Sequence, residues 1–227
     1  MGQPTLRNER DTMPDIALRF NKDMLVLSTP IDYQLKSQGF TNPGDREYVA
    51  LCESDLIEEV YKVEKLMETP CLVTATEGIT RARLAYSRFE KQAEDMARIA
   101  YEVGSSFTPQ HLIAAVGPTG LPLDTSISSS VKQSIQQYRD AAEVLMHHPF
   151  DALYFSNFSS LADAECALRG AREAFEGPLM ISLAVSDESD FSTDETFALG
   201  VEKCNELGAD VMFSWGDWRW NGNAKGF

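Results

Sequence analysis

The residues of this chain best equipped for chemistry are four cysteines, three histidines and a set of carboxylates and hydroxyls that follow short apolar runs. Cys52, Cys71, Cys166 and Cys204 never form a C-x-x-C pair, whereas a zinc site needs about three or four convergent Cys, His or carboxylate ligands. Their scatter reads as free, mostly buried thiols in a reducing, cytoplasmic compartment. His147 and His148 precede Pro149. Neighbours on a helix point about 100° apart, so this pair reads as a C-terminal cap favoured by the helix dipole. His111 opens an apolar run rather than closing one and reads as structural. Asp32, Glu77, Asp187 and Asp217 each lie beyond an apolar run, where a carboxylate is placed to act as a general base. Asp187, Glu188, Asp190, Asp194 and Glu195 lack the D-x-D-x-D-G spacing of a calcium loop and read as a solvated loop. Thr119-Gly120 and the Ser-rich stretch Thr125 to Ser130 are phosphate-loop candidates, but neither is followed by the basic residues that would make a convincing phosphate site, so the Ser-rich stretch reads as a flexible connection.

Such residues matter only if the chain brings them together. The stretch His111 to Leu123, HLIAAVGPTGLPL, shows how: an apolar run, Leu112 to Val116, breaks into Gly117-Pro118-Thr119-Gly120. That is the pattern of a strand buried on both faces ending in a tight loop. The pattern recurs at Asp23–Leu27, Cys71–Ala75, Asp151–Phe155, Leu179–Val185 and Asp210–Phe213. Helical patterns alternate with these runs, over 31–39, between Asn42-Pro43-Gly44-Asp45 and Thr69-Pro70, and over 81–103, 131–147, 161–175 and 196–207. In the second of these Leu51, Leu56, Val60, Val63 and Leu66 recur every three to five residues between charged positions, which predicts one packed and one solvated face.

Composition narrows the function classes. The 35 acidic residues against 20 basic ones give a net charge of −15. No basic stripe exists to release counterions from a phosphate backbone, so nucleic acid and anionic membranes are excluded as partners. The N-terminus MGQPTLRNER has no apolar core of a signal peptide, and nowhere do eighteen apolar residues run together, so neither export nor a membrane span is expected. Neither G-x-G-x-x-G after the first strand nor G-x-x-x-x-G-K-[ST] is present, which speaks against dinucleotide and nucleotide-hydrolase sites.

Six strands alternating with helices imply a parallel sheet with right-handed crossovers. The expected fold class is α/β, a parallel (β/α) barrel-like domain with six βα units of an incomplete TIM-type barrel; the alternative is an open doubly wound parallel sheet. The expected division is a polar leader over 1–22, one domain over 23–217 and an aromatic tail over 218–227. Ligand-facing candidates are then the strand ends: Thr29 and Asp32, Thr76 and Glu77, Thr119, Ser156 and Asn157, Asp187, and Trp215 and Asp217.

From about Met24 to Gly216 the chain resembles the homocysteine S-methyltransferase family, zinc-dependent (β/α)8 barrels. AAVGPTG is similar to that family's G-x-I-G-P-T-G segment. PFDALYFSNFSSLADAECALRGARE is similar to its G-x-D-x-x-x-x-E-T-x-x-x-x-E-A-x-x-A segment, and GPLMISLAV with FALGVEKCNELGADVMFSWG continues the likeness. The resemblance implies a barrel in which zinc lowers the thiol pKa of homocysteine for attack on a methyl donor. The residues implied for that chemistry differ here. The family's D-G-A-x-G-T stretch corresponds to Ser28-Thr29-Pro30-Ile31-Asp32-Tyr33, its N-T-F to Ala75-Thr76-Glu77, and its substrate-holding E-T to Ser156-Asn157 or Asn157-Phe158. Its first zinc thiolate, in an N-C pair, corresponds to Ser214-Trp215, and its G-G-C-C segment has no counterpart.

The expectation is therefore a family-like protein that lacks zinc-dependent methyl transfer, carries no cofactor and binds a small thiol or amino acid or a regulatory partner. The alternative is a methyltransferase of one-carbon metabolism that works without zinc or is completed by a partner chain. An incomplete barrel leaves strand edges to cover. A homo-oligomer, a protein partner, or the leader and the tail residues Trp218 and Trp220 are expected to cover them.

Overall fold

The computed structural model describes residues 15–42 and 44–216, with the backbone alone at Trp215; Asp217, the tail tryptophans and most of the leader lie outside the described residues. The apolar runs become strands β1 (Cys71–Val73), β2 (His111–Val116), β3 (Ala152–Phe158), β4 (Leu179–Val185) and β5 (Val211–Gly216). The sheet order is β1-β2-β3-β4-β5 with every pair parallel. Each strand lies beside its successor, without the reversal of order that a doubly wound sheet requires. This is the winding of an incomplete barrel.

The expected first strand, Asp23–Leu27, reaches the sheet only through a single parallel bridge, Leu27 to Cys71. Met24 and Val26 are 91% and 51% exposed, so the described residues leave that side of the segment uncovered. Leu25 and Leu27 point the other way and pack on the sheet.

Helices α1 (Ile31–Ser37), α2 (Asp45–Cys52) and α3 (Ser54–Leu66) precede β1. α4 (Arg81–Tyr86) and α5 (Ala93–Ser106) join β1 to β2, and α6 (Ser128–Leu145), α7 (Leu161–Ala174) and α8 (Asp194–Glu206) complete the alternation. Two helices expected to be continuous are broken. The 42–69 pattern divides at Glu53 (φ −134°, ψ 44°), and the 81–103 pattern divides after Tyr86, where Arg88 adopts φ 63°. There Phe89 N donates to the Leu84 carbonyl and closes the short helix. The Ser-rich connection is also shorter than expected: Ser128, Ser129 and Ser130 form the first turn of α6, and Asp124 accepts from the Ser126 amide and hydroxyl just before it.

Both faces of the sheet are buried by different partners. Leu72, Leu112, Leu153, Phe155, Ile181 and Leu183 pack under the helices in the main core. On the opposite face Cys71, Ile113, Ala152 and Met180 are covered by Ile16, Phe20, Leu25 and Leu27 from the N-terminal segment. A single 3-10 turn, Ile16–Leu18, capped by the Asp15 side chain, seats Ile16 there at 1% exposure. Arg19 fastens this segment by donating to Gln110 Oε1 and to His111 Nε2 at 2.9 Å each. His111, as expected, serves structure at the start of β2. No helix among the described residues is long and apolar enough to cross a membrane.

Candidate functional site

A parallel sheet gathers the C-terminal ends of its strands on one face, and βα loops there are free to carry polar groups. Several of the candidate residues turn out to hold the scaffold. Thr76 is fully buried; its hydroxyl donates to the Ala115 carbonyl at 2.7 Å and accepts from the Ala115 amide at 3.1 Å. The Thr29 amide donates to Glu64 Oε1, whose second oxygen accepts from the Thr69 hydroxyl. The Thr119 amide donates to Tyr138 Oη at 3.1 Å, and that hydroxyl donates to Asp163 Oδ1 at 2.9 Å. The 117–120 loop is thereby pinned to α6 and α7. Asn157 takes a left-handed φ of 61° and gives its amide to Ser182 Oγ. Asp187 is exposed in a loop ordered by Ser189, whose hydroxyl bridges back to Ser186.

Asp32 on α1, Glu77 in the loop after β1 and Ser156 on β3 are brought together. Ser156 donates to Glu77 Oε1 at 2.7 Å. Glu77 Oε2 accepts from Arg46 Nη1, and the same nitrogen lies 3.2 Å from Asp32 Oδ2. Beside this chain sits a second pair, Arg83 Nη2 with Glu47 Oε1 at 3.2 Å, and Glu47 is 1% exposed. Gly78 makes room for it, since a Cβ there would lie 2.6 Å from Glu47 Cδ. Arg46, Glu47 and Arg83 were not anticipated. Arg46 and Glu47 open α2 inside what reads as a long solvated helix, and Arg83 looks like one more charge on the next one. The only sequence signal is their nearness to turns: Asn42-Pro43-Gly44 before α2 and Gly78 before α4.

The charged groups border a cleft of about 240 Å³ between α1, the 40–44 loop and α2, lined by Asp32, Lys36, Asp45, Arg46, Glu47 and Arg83 with Leu35 and Phe40 as apolar wall. Such an arrangement can hold a small polar molecule by paired charges of both signs.

Comparison with known proteins agrees with this architecture. A family model described as homocysteine S-methyltransferase matches residues 26–214. The chain belongs to the homocysteine S-methyltransferase family. Among solved structures, the homocysteine methyltransferase MmuM from Escherichia coli in its oxidized form superposes with a TM-score of 0.62 at 13% identity, covering 89% of this chain and 95% of that one. Its apo form gives 0.55 at 14% identity over 89% and 94%. At these identities the likeness is one of fold. A search of curated proteins returns no match.

The zinc that the family implies does not fit the residues present. The resemblance sets the family's first thiolate against Trp215, whose backbone pairs with Ala184 at the end of β5. Among the described residues no group of three or more His, Cys, Asp or Glu is placed to hold a metal. The thiols lie elsewhere. Cys71 opens β1 at the far end of the sheet, and burial pushes it up to about 11 against the opposing effect of Arg19. Cys204 is buried on α8 and is likewise pushed up to about 11, Cys166 on α7 is raised by burial, and Cys52 is exposed at the end of α2. A metal binds thiolate rather than thiol, so burial at Cys71, Cys166 and Cys204 opposes ligation.

Proposed function

We propose that this chain is a homocysteine S-methyltransferase-like protein that keeps the scaffold of its family, does without zinc-dependent methyl transfer, and acts by binding a small amino acid or thiol. One observation carries the reading. Where the family's chemistry resides, the strand-end carboxylate Glu77 already accepts from Ser156 and from Arg46, and the residue in the place of the first thiolate is a tryptophan. Polarity at the site is thus spent on a fixed internal network that favours recognition over proton transfer. Free cysteines fit a reducing, cytoplasmic setting. Among the described residues β5 has a neighbour only on the β4 side, and an unpaired strand edge favours covering by a second copy.

Calorimetric titration with L-homocysteine and L-methionine, run beside an assay for methionine formation from homocysteine and a methyl donor, tests the reading. Saturable heat without turnover is expected. Turnover overturns the non-catalytic reading, and absence of heat at millimolar ligand overturns the small-molecule one.

A further inference from the structure

Charge on this molecule is segregated. From residue 173 to residue 202 the chain carries eight acidic residues and no basic one. Five of the eight, Asp187, Glu188, Asp190, Asp194 and Glu195, are exposed around the loop after β4, and none of their side chains has an ion-pair partner among the described residues.

The opposite pole is α4 and the turn that follows it. This segment buries Leu84 completely and turns Arg81, Tyr86, Arg88 and Lys91 to solvent, with Glu90 as the one acid among them. Every other arginine among the described residues is ion-paired. Arg81 and Arg88 are the two left without a partner, in a chain whose carboxylates outnumber its cations by fifteen. Tyr86, between them, is 72% exposed. Protein interfaces are enriched in arginine and tyrosine, which offer a flat contact surface together with a polar end. Two unpaired guanidinium groups flanking an exposed phenol thus make a surface suited to carboxylates carried by another chain.

Both poles lie at the C-terminal end of the sheet, since α4 follows β1 and the acidic loop follows β4. Two strands separate β1 from β4, which places them about 14 Å apart at the usual strand spacing. A two-fold axis lying across that end, midway between the poles, exchanges them. Each basic segment then meets the acidic loop of the other copy, and every contact is made twice. The net charge of −15 repels two copies at a distance. Screening confines that repulsion to about 8 Å at physiological salt and acts far less on groups packed in contact.

We propose that two copies of this chain pair face to face at the C-terminal ends of their strands, the 81–91 segment of each seated on the 187–195 loop of the other. Tyr86 and, from α8, Leu199, which is 44% exposed, supply apolar contact among the charges. The pairing needs no ligand and does not use the β5 edge, so it stands independently of the small-molecule reading.

Sedimentation velocity of the full chain at about 100 μM and about 0.15 M salt tests it. Wild type is expected to sediment as a dimer that dissociates on dilution. The triple variant Arg81→Glu, Arg88→Glu, Lys91→Glu leaves both poles acidic, and the triple variant Asp187→Lys, Glu188→Lys, Asp190→Lys leaves both with net positive charge. Each alone is expected to be monomeric, its pairing weakened by more than about a hundredfold. Mixed in equal amounts, the two present opposite charge at both contacts and are expected to form the dimer again. All six positions are exposed, and thermal unfolding shows whether each variant is folded. If one is not, hydrogen exchange of wild type above and below the dissociation concentration carries the test, with protection gained over 81–91 and 187–195 as the expected result. A wild type that is monomeric at every concentration, a dimer that survives either reversal, folded variants that stay apart when mixed, or protection gained only elsewhere overturns the proposal.

Discussion

Replacing Arg46 with Met tests whether the strand-end charges act as one network. Among the described residues Arg46 touches Asp32 and Glu77 together, and it also lies 4.0 Å from Glu47. Without it three carboxylates from α1, the β1 loop and α2 face one another with Arg83 as the nearest remaining cation. Removing one partner of a fully buried pair costs about 3–5 kcal/mol. Here the side chains of Arg46 and Asp32 are 20% and 36% exposed, so solvent reduces the effect to about 2–3 kcal/mol. For a chain of this length that lowers Tm by roughly 5–10 °C. The assay is thermal unfolding followed by circular dichroism for wild type, Arg46→Met, Glu77→Gln and the double variant. Neutralising Glu77 relieves part of the repulsion that Arg46→Met exposes, so the double variant is expected to lose about 1–2 kcal/mol less than the sum of the singles. Additivity within about 0.5 kcal/mol would refute the network.

Three further outcomes follow from particular contacts. Gly170→Ala, which in an exposed helix would stabilise by about 1 kcal/mol, is expected to destabilise here, because a Cβ at that point of α7 would lie 2.9 Å from the Arg139 amide and 3.0 Å from Tyr138 Cβ; a raised Tm would contradict the close α6–α7 approach. Burial raises Asp163 despite hydrogen bonds from Tyr138 and Ser134. A raised acid favours the folded state below its ordinary value and loses that contribution as pH rises through the folded value. Asp163→Asn is therefore expected to gain in urea midpoint relative to wild type between about pH 4 and pH 7, and a constant difference would refute the account. At mildly alkaline pH a thiol reagent is expected to modify Cys52 rapidly and Cys71, Cys166 and Cys204 only after denaturation, since burial holds Cys71 and Cys204 protonated up to about 11.

The fold was legible where burial is two-sided. β2 is buried at every position, and a run with no polar alternation admits little else, so His111–Val116 and Leu179–Val185 emerge with their observed bounds. The helix breaks were not legible, because Glu53 and Arg88 carry no glycine or proline to mark them; tertiary packing sets those angles. Asp23–Leu27 has the composition of a strand but, among the described residues, is left uncovered on its Met24 and Val26 side, which composition does not reveal. At the site, strand-end position singled out Asp32, Glu77 and Ser156, which the fold brings together through Arg46. It also singled out Thr76 and Thr119, which serve the backbone, since a hydroxyl at a strand end is equally suited to a ligand or to a carbonyl. Arg46, Glu47 and Arg83 come from helix starts, and only the three-dimensional approach of α2 and α4 to the β1 loop separates them from ordinary surface charge.

The central claim, a family scaffold without its metal chemistry, is tested most directly by the zinc content of the protein purified without chelators and measured by elemental analysis against protein concentration. The donor set predicts zinc well below one equivalent, with no recovery on adding zinc and dialysing. One firmly held zinc per chain would contradict it.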